Sequence, residues 1–172
     1  PGLQVLGQVT ILLVLVAAWP LGGWIARVLD DAHPVRIPLL SGLERRLHRA
    51  AGVDPAASMS WTAYVGALIV FHLAGFLLLL AILRLQGCLP WNPAGRGAVP
   101  WGVAVNTAIS FVTNTNWQAY AGERTLGHAA QMTGLTPQNF LSAAVGLAVM
   151  AALARGLARQ RSTAIGNVWA DI

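Results

Sequence analysis

A short apolar segment that runs into a polar one places the strongest constraint on this chain. Twelve mostly apolar residues, Trp101–Val112, are followed directly by Thr113-Asn114-Thr115-Asn116-Trp117-Gln118. Crossing a bilayer takes roughly 20 apolar residues, whereas a helix of this length reaches only ~18 Å at about 1.5 Å per residue. Such a helix can enter a membrane without leaving on the other side. Non-helical backbone at that depth persists only where protein or a water-filled path satisfies its polar groups, so the pattern predicts a re-entrant pore loop.

The composition is typical of a helical membrane protein. Of the 172 residues, 56% are apolar and only 10% are charged, which argues against an ordinary soluble domain. The apolar residues form three long runs, which predict membrane-spanning helices over residues 3–25, 61–83 and 137–154. Pro20 lies near the inner end of the first run, where we expect a kink or an early stop. The predicted fold class is an all-α integral membrane protein.

The predicted spans divide the chain into four parts. The first part, residues 1–26, is a predicted N-terminal transmembrane helix, and the second, 27–60, is a predicted cytoplasmic loop. The third, 61–158, is a predicted helix–pore loop–helix unit with its filter at 113–118. The last, 159–172, is a predicted cytoplasmic tail, and the chain is expected to be truncated. Ser41 as N-cap and Glu44 have capping-box spacing and predict a short amphipathic helix, either on anionic lipid or in solvent. After a polar, mixed stretch over 123–136, Thr136 as N-cap and Pro137 predict the start of the last helix.

The placement of arginine predicts the orientation in the membrane. The net charge of +5 includes eleven arginines and no lysine. These arginines flank apolar runs and form no single basic face, so no nucleic-acid partner is expected. Most lie between residues 27 and 59 or after the third span. Because basic segments stay in the cytoplasm, we expect the N-terminus on the extracytoplasmic side and the loop to enter the membrane from that side.

The loop chemistry favours a dehydrated monovalent cation. The C-terminal end of a helix carries roughly half a negative charge, and here it would point at the loop. Backbone carbonyls with threonine and asparagine oxygens can replace a hydration shell, whereas divalent cations usually require clustered carboxylates and only Glu123 is nearby. Trp117 is expected to pack behind the loop, and Gln118 either lines its mouth or braces it. The alternative is an ordinary polar loop at the membrane surface.

The loop and its surroundings resemble a known family. The segment 113–123 is similar to the first selectivity-filter loop of the potassium-binding A subunits of the Kdp potassium-transporting P-type ATPases. The similarity continues through 106–112 before the loop and through 134–136, 138–144 and 166–169 after it, and a weaker similarity reaches the first span. The filter positions that the resemblance implies are Thr113, Asn114, Thr115 and Asn116, with Gln118 at the edge.

The resemblance also implies a fold and a function. The fold would be an extra N-terminal helix and one helix–pore loop–helix repeat of the superfamily of potassium transporters, with three further repeats absent from this chain. The family subunit takes K⁺ from the extracytoplasmic side of the bacterial inner membrane, with high affinity, and passes it to a separate P-type ATPase subunit. Small accessory membrane subunits and lipid are further expected partners. The chain itself is then no enzyme, carries no covalent cofactor and has K⁺ as its transported ion.

Two other classes of function remain open. One is a passive tetrameric cation channel that contributes one pore loop per chain. The other is a membrane scaffold with no ion path. Further Gly- or Asn-rich loops in a longer gene product would favour the pump subunit, because a homotetramer needs no such repeats.

Overall fold

The computed structural model describes residues 2–28, 38–158 and 164–172. Residues 29–37 of the predicted cytoplasmic loop and 159–163 of the predicted tail lie outside these ranges. Within them the regular secondary structure is helical, apart from one isolated antiparallel bridge between Ser60 and Ala164. The chain divides into two units, Pro1–Gly52 and Val53–Ile172. Since three of the helices are long and apolar enough to cross a membrane, the predicted all-α membrane fold class is confirmed.

The first unit begins with helix α1, Gly2–Val28. Its side chains are apolar on almost every side and exposed from Val5 to Trp24, as expected for a helix whose natural surroundings are lipid. Pro20 lies inside this helix, so the predicted early stop is wrong. A proline removes one intrahelical hydrogen bond, and membrane helices tolerate the loss when neighbouring groups compensate for it.

The second helix of this unit, α2, covers Pro38–Ala51 and is the predicted short amphipathic helix. Ser41 is not its N-cap, because the helix begins almost one turn earlier at Pro38, a residue well suited to a first helical position. The helix ends at Gly52, whose positive φ of 67° and N–H bond to the Arg49 carbonyl form a left-handed cap.

The second unit contains the predicted helix–loop–helix arrangement. Helix α3 covers Trp61–Leu85, with Ser60 as its N-cap, and a 3-10 turn follows at Gln86–Cys88. Helix α4 covers Trp101–Val112, which are the predicted bounds of the short apolar helix. The last helices are α5 at Gly122–Thr125, α6 at Thr136–Ala158 and α7 at Val168–Asp171.

The α-helix α6 begins at Thr136, as predicted, but Thr136 is not an N-cap. A π-helical segment, Ala130–Leu135, leads directly into α6, so the apolar helix covers Ala130–Ala158. The Thr136 N–H and hydroxyl both donate to the carbonyl of Gln131, five residues earlier. This wider turn moves the preceding carbonyls away from the Pro137 ring, which would clash with them in a regular α-helix.

The core of this unit packs α3 against α4 and the π-helical segment. Buried α4 residues recur at the spacing of one helical face: Ala104, Thr107, Ala108 and Phe111. The three apolar ones, Ala104, Ala108 and Phe111, join a cluster with Leu79, Leu83, Val99, Leu126 and Leu135. A Cβ on Gly134 would lie 3.0 Å from Leu79 Cδ1, so glycine is what lets the π-helical segment approach α3 this closely.

Gln86, at the end of α3, fixes the segments on both sides of α4. Its side chain is 1% exposed. The Nε2 group donates to the carbonyls of Gly97, at 2.6 Å, and Thr125, at 3.0 Å. The Oε1 atom accepts from the Gly127 N–H at 3.1 Å. One side chain therefore links the segment before α4 to the segment that follows the loop.

The described end of the chain packs against the opposite ends of α3 and α6. Asp171 of α7 accepts two hydrogen bonds of 2.8 Å from Arg155 Nη1. The hydroxyl of the buried Tyr64 lies 3.0 Å from Asp171 Oδ2 and 3.1 Å from the Ala148 carbonyl. Asn167 donates to the carbonyls of Asp54 and Ala57. Residues 164–172 of the predicted tail are thus part of the packed unit.

A candidate cation-binding loop

Ser110, in the last turn of α4, is the residue to which the following loop is hydrogen-bonded. The chain leaves the helix at Thr113 and turns back, so that the N–H groups of Thr115 and Asn116 donate to the Ser110 carbonyl at 2.9 and 3.1 Å. The Ser110 hydroxyl donates to the Trp117 carbonyl at 2.8 Å. Because the last carbonyls of a helix lack partners within it, the loop satisfies the end of the helix that it follows.

Both asparagines of the loop adopt left-handed backbone conformations. The φ angle is 57° at Asn114 and 54° at Asn116, a region in which asparagine is several-fold enriched among residues other than glycine. The Asn116 amide donates to Asn114 Oδ1 at 3.1 Å. The two residues therefore shape the turn with their backbone and lock it with their side chains.

The backbone carbonyls of the loop point away from α4. The N–H groups of Asn114, Thr115 and Asn116 donate to carbonyls of the last α4 turn. In a trans peptide unit the N–H and the C=O point in opposite directions, and no cis bond occurs among the described residues. The carbonyls of the same peptide units belong to Thr113, Asn114 and Thr115. None of these three accepts a hydrogen bond from the described part of the chain.

The side-chain oxygens are less available than the backbone ones. Asn114 Oδ1 accepts from Asn116 and, at 3.3 Å, from the Ser142 hydroxyl of α6. The Thr113 hydroxyl donates to Ile109 O and lies 2.9 Å from the Thr115 hydroxyl. With its proton on Ile109 O, Thr113 accepts from Thr115, which leaves the lone pairs of the Thr115 hydroxyl free to face a ligand.

The structure brings four of the five predicted site residues together. The hydrogen bonds above join positions 113–116, whereas Gln118 is exposed and makes no hydrogen bond to any described residue. Bracing of the loop by Gln118 is therefore not seen in this chain. The indole of Trp117 is 63% exposed, so the prediction that it packs behind the loop is wrong for these residues. Among the described residues, the hydrogen bond that Trp117 makes is the one its carbonyl accepts from the Ser110 hydroxyl.

Sequence reasoning missed Ser110 and Ser142. Their side chains are 6% and 5% exposed. A serine on the otherwise apolar buried face of α4 was a usable signal, since buried hydroxyls need partners. Ser142 carried no comparable signal, because its partner Asn114 is 28 residues away in the sequence.

The surroundings of the loop are neutral. No group of three or more His, Cys, Asp or Glu residues that could hold a metal ion occurs in ranges 2–28, 38–158 and 164–172. The hydroxyls of Thr107 and Tyr120 are both buried and interact with each other electrostatically, but neither has a partner in hydrogen-bond geometry among the described residues. Burial raises the pKa of the Tyr120 phenol above its ordinary value of 10.0, and the nearby Thr107 hydroxyl offsets part of the rise, so the phenol stays neutral at physiological pH.

Comparison with known proteins gives a consistent result. The family model described as potassium-transporting ATPase A subunit matches residues 8–172. A potassium-transporting ATPase potassium-binding subunit of Methylorubrum populi is 52% identical over 160 residues, which is 93% of this chain and 28% of that protein. Subunits of the same name from Granulibacter bethesdensis and Klebsiella pneumoniae are 52% and 51% identical, each over 94% of this chain and 28% of the relative.

The chain spans about 28% of the length of the curated relatives that it matches. The matched region contains the loop, all of α2 to α7 and most of α1. The resemblance predicted from the loop is thereby confirmed, and the chain belongs to the family of potassium-transporting ATPase A subunits.

Proposed function

We propose that this chain is part of the K⁺-binding and translocating subunit of an ATP-driven, high-affinity K⁺ uptake complex. In this proposal the loop at 113–118 supplies one part of a selectivity filter. The observation that carries the proposal is a set of three carbonyls, at Thr113, Asn114 and Thr115, which point away from α4 and accept no hydrogen bond from any residue that the structure describes. The names of the relatives, potassium-binding subunits of a potassium-transporting ATPase, support the choice of ion.

The electrostatics of the loop suit a stripped monovalent cation. The C-terminal end of α4 contributes roughly half a negative charge, and neutral carbonyls can replace the hydration shell. The free lone pairs of the Thr115 hydroxyl add one ligand position, Asn116 is the fourth proposed filter residue, and Gln118 lies at the edge of the filter in this proposal. Without a cluster of carboxylates in the described residues, a divalent ion would keep most of its water.

One loop is an incomplete site. Filters that select K⁺ with carbonyl oxygens arrange four such loops around one axis. We infer that three further loops complete the shell, from repeats of the same subunit. A passive channel of four identical chains is the alternative, and dependence of uptake on ATP separates the two: a pump subunit loses uptake when ATP is depleted, whereas a channel still conducts down the K⁺ gradient.

The proposed setting is the bacterial inner membrane. The N-terminus and the loop would face the extracytoplasmic side, and the ion would pass to a P-type ATPase catalytic subunit that hydrolyses ATP. Small accessory membrane subunits and lipid complete the proposed partners, and the chain itself has no catalytic role or covalent cofactor in this scheme. The division into 1–26, 27–60, 61–158 and 159–172 stays a prediction.

The test is the substitution Asn114→Asp in the complete subunit, assembled with its complex. A carboxylate still accepts from Asn116 and Ser142, so the turn is retained while a negative charge is added beside the carbonyls. We expect altered K⁺ affinity and weaker discrimination against Na⁺, measured by competitive uptake. The matched control is Asn106→Asp, on the exposed side of α4. Unchanged affinity and selectivity in Asn114→Asp would contradict the proposal and favour a scaffold.

A further inference from the structure

Ser110 binds three consecutive residues of the loop through two different groups. Its carbonyl accepts from the N–H groups of Thr115 and Asn116, and its hydroxyl donates to the carbonyl of Trp117. The first two bonds turn the carbonyls of Asn114 and Thr115 outward. The third bond holds the Trp117 carbonyl towards α4, so this carbonyl does not continue the series of carbonyls that point away from α4. Both oxygens of Ser110 are thus occupied on the side of the loop away from the proposed ion.

Ser142 reaches the loop from a different helix. Its hydroxyl lies 3.2 Å from the Asn139 carbonyl of α6 and 3.3 Å from Asn114 Oδ1. One proton is therefore shared between the helix backbone and the loop. Asn114 Oδ1, which also accepts from Asn116, is held in a single direction by donors from the loop and from α6. The left-handed residue at the tip of the turn is fixed by its side chain as well as by its backbone.

We infer that Ser110 and Ser142 are positioning residues that set the ion selectivity of the loop without binding the ion. This inference rests on the proposed function. Selectivity for K⁺ depends on the number and spacing of carbonyl oxygens, and here both are determined by hydrogen bonds that originate behind the loop. When one of these bonds is removed, the carbonyls can move inward around a smaller ion. Discrimination against Na⁺ then falls, although no ligand has been deleted.

The experiment compares Ser110→Ala and Ser142→Ala in the complete subunit with its partners. Each variant removes one hydroxyl and leaves every proposed ligand in place, and Ser110→Ala also keeps the Ser110 carbonyl that accepts from Thr115 and Asn116. Loss of one hydrogen bond corresponds to about a tenfold change in an equilibrium. We expect KM for K⁺ to rise about tenfold with little change in maximal rate, and Na⁺ to compete more effectively. Ser142→Thr keeps the hydroxyl and is expected to restore both properties.

Two controls separate positioning from general damage. Thr133→Val removes a hydroxyl that donates to the Ala129 carbonyl in the π-helical segment, and we expect unchanged KM and selectivity. The amount of assembled complex, measured by size-exclusion chromatography, shows whether each variant folds. Both serines are buried, but the Ser142 hydroxyl makes longer bonds, of 3.2 and 3.3 Å, than the 2.8 Å bond of the Ser110 hydroxyl. Ser142→Ala therefore decides the outcome if Ser110→Ala fails to assemble.

The results distinguish this inference from the proposed function. If Asn114→Asp changes K⁺ affinity while the assembled serine variants keep KM and selectivity, the positioning role is wrong and the proposed function stands. If Asn114→Asp and both serine variants all behave as the parent, the proposed function fails and the inference with it. An equal loss of selectivity in Thr133→Val would also overturn the positioning role, since that residue does not touch the loop.

Discussion

Gln86→Leu tests the connection between the end of α3 and the two segments that flank α4. The substitution keeps a side chain of similar size in a site that is 1% exposed. It removes the partners of three backbone groups: the carbonyls of Gly97 and Thr125 and the N–H of Gly127. All three lie where the chain approaches α4 or returns from the loop, so their release also loosens the support of the loop.

The expected loss of stability follows from these three groups. Of the three bonds, the one to the Gly127 N–H is buried and the two to the carbonyls are partly buried. A buried N–H without a partner costs about 1–3 kcal/mol, and each lost carbonyl bond costs about 0.5–1.5 kcal/mol. Burying leucine instead of an amide recovers roughly 1–2 kcal/mol of stability. The net change is a destabilisation of about 2 kcal/mol, or a factor of about 30 in the unfolding equilibrium.

The measurement is the free energy of unfolding of the complete subunit, from denaturant titration in mixed micelles. Gln131→Leu is the matched control, because this partly buried glutamine donates only one long bond, of 3.4 Å, to the Leu126 carbonyl. We expect the control to lose less than about 1 kcal/mol. If both leucine variants unfold at the same denaturant concentration, the three bonds of Gln86 do not hold these segments and the reasoning is refuted.

Three further substitutions probe the packing around the loop, each by the same titration. Gly134→Ala places a Cβ 3.0 Å from Leu79 Cδ1 and is expected to lower the free energy of unfolding by about 1–3 kcal/mol. An unchanged value would mean that the Leu79 side chain moves aside without cost. Asp171→Asn breaks the ion pair with Arg155, in which the Arg155 side chain is 15% exposed and the Asp171 side chain 10%. We expect the free energy of unfolding to fall by about 3 kcal/mol, and an unchanged value would contradict a stabilising role for α7. Tyr120→Phe deletes a buried hydroxyl that has no hydrogen-bond partner within the described ranges, so the free energy of unfolding should stay the same or rise by up to ~1 kcal/mol; a clear loss would show that a bound water or the Thr107 hydroxyl serves it.

The sequence allowed local features to be predicted, but not contacts between distant residues. The bounds of α4 followed from apolar residues enclosed by Pro100 and the polar run, and these are local signals. Pro20 was misleading, because it lies inside a helix that accommodates it. Pro137 marked the start of α6, but not the π-helical segment that precedes it. The asparagines were predicted from their side-chain oxygens, whereas their left-handed backbone is the stronger reason for their presence. The left-handed backbone depends on the turn that the loop makes around Ser110, and no local sequence pattern predicts that turn.

The use of asparagine at the two left-handed positions has a physical consequence for the loop. Glycine would reach the same φ values without strain, but with a larger loss of conformational entropy on ordering. Asparagine at 114 and 116 adds a side-chain bond between the two positions and a further bond to α6. Under the proposed function, the carbonyls are therefore oriented before any ion arrives, and a cation would not bear the free-energy cost of ordering them. Each loop of a multi-loop site can then contribute ligands at fixed spacing, which is what discrimination between ions of equal charge and different radius requires.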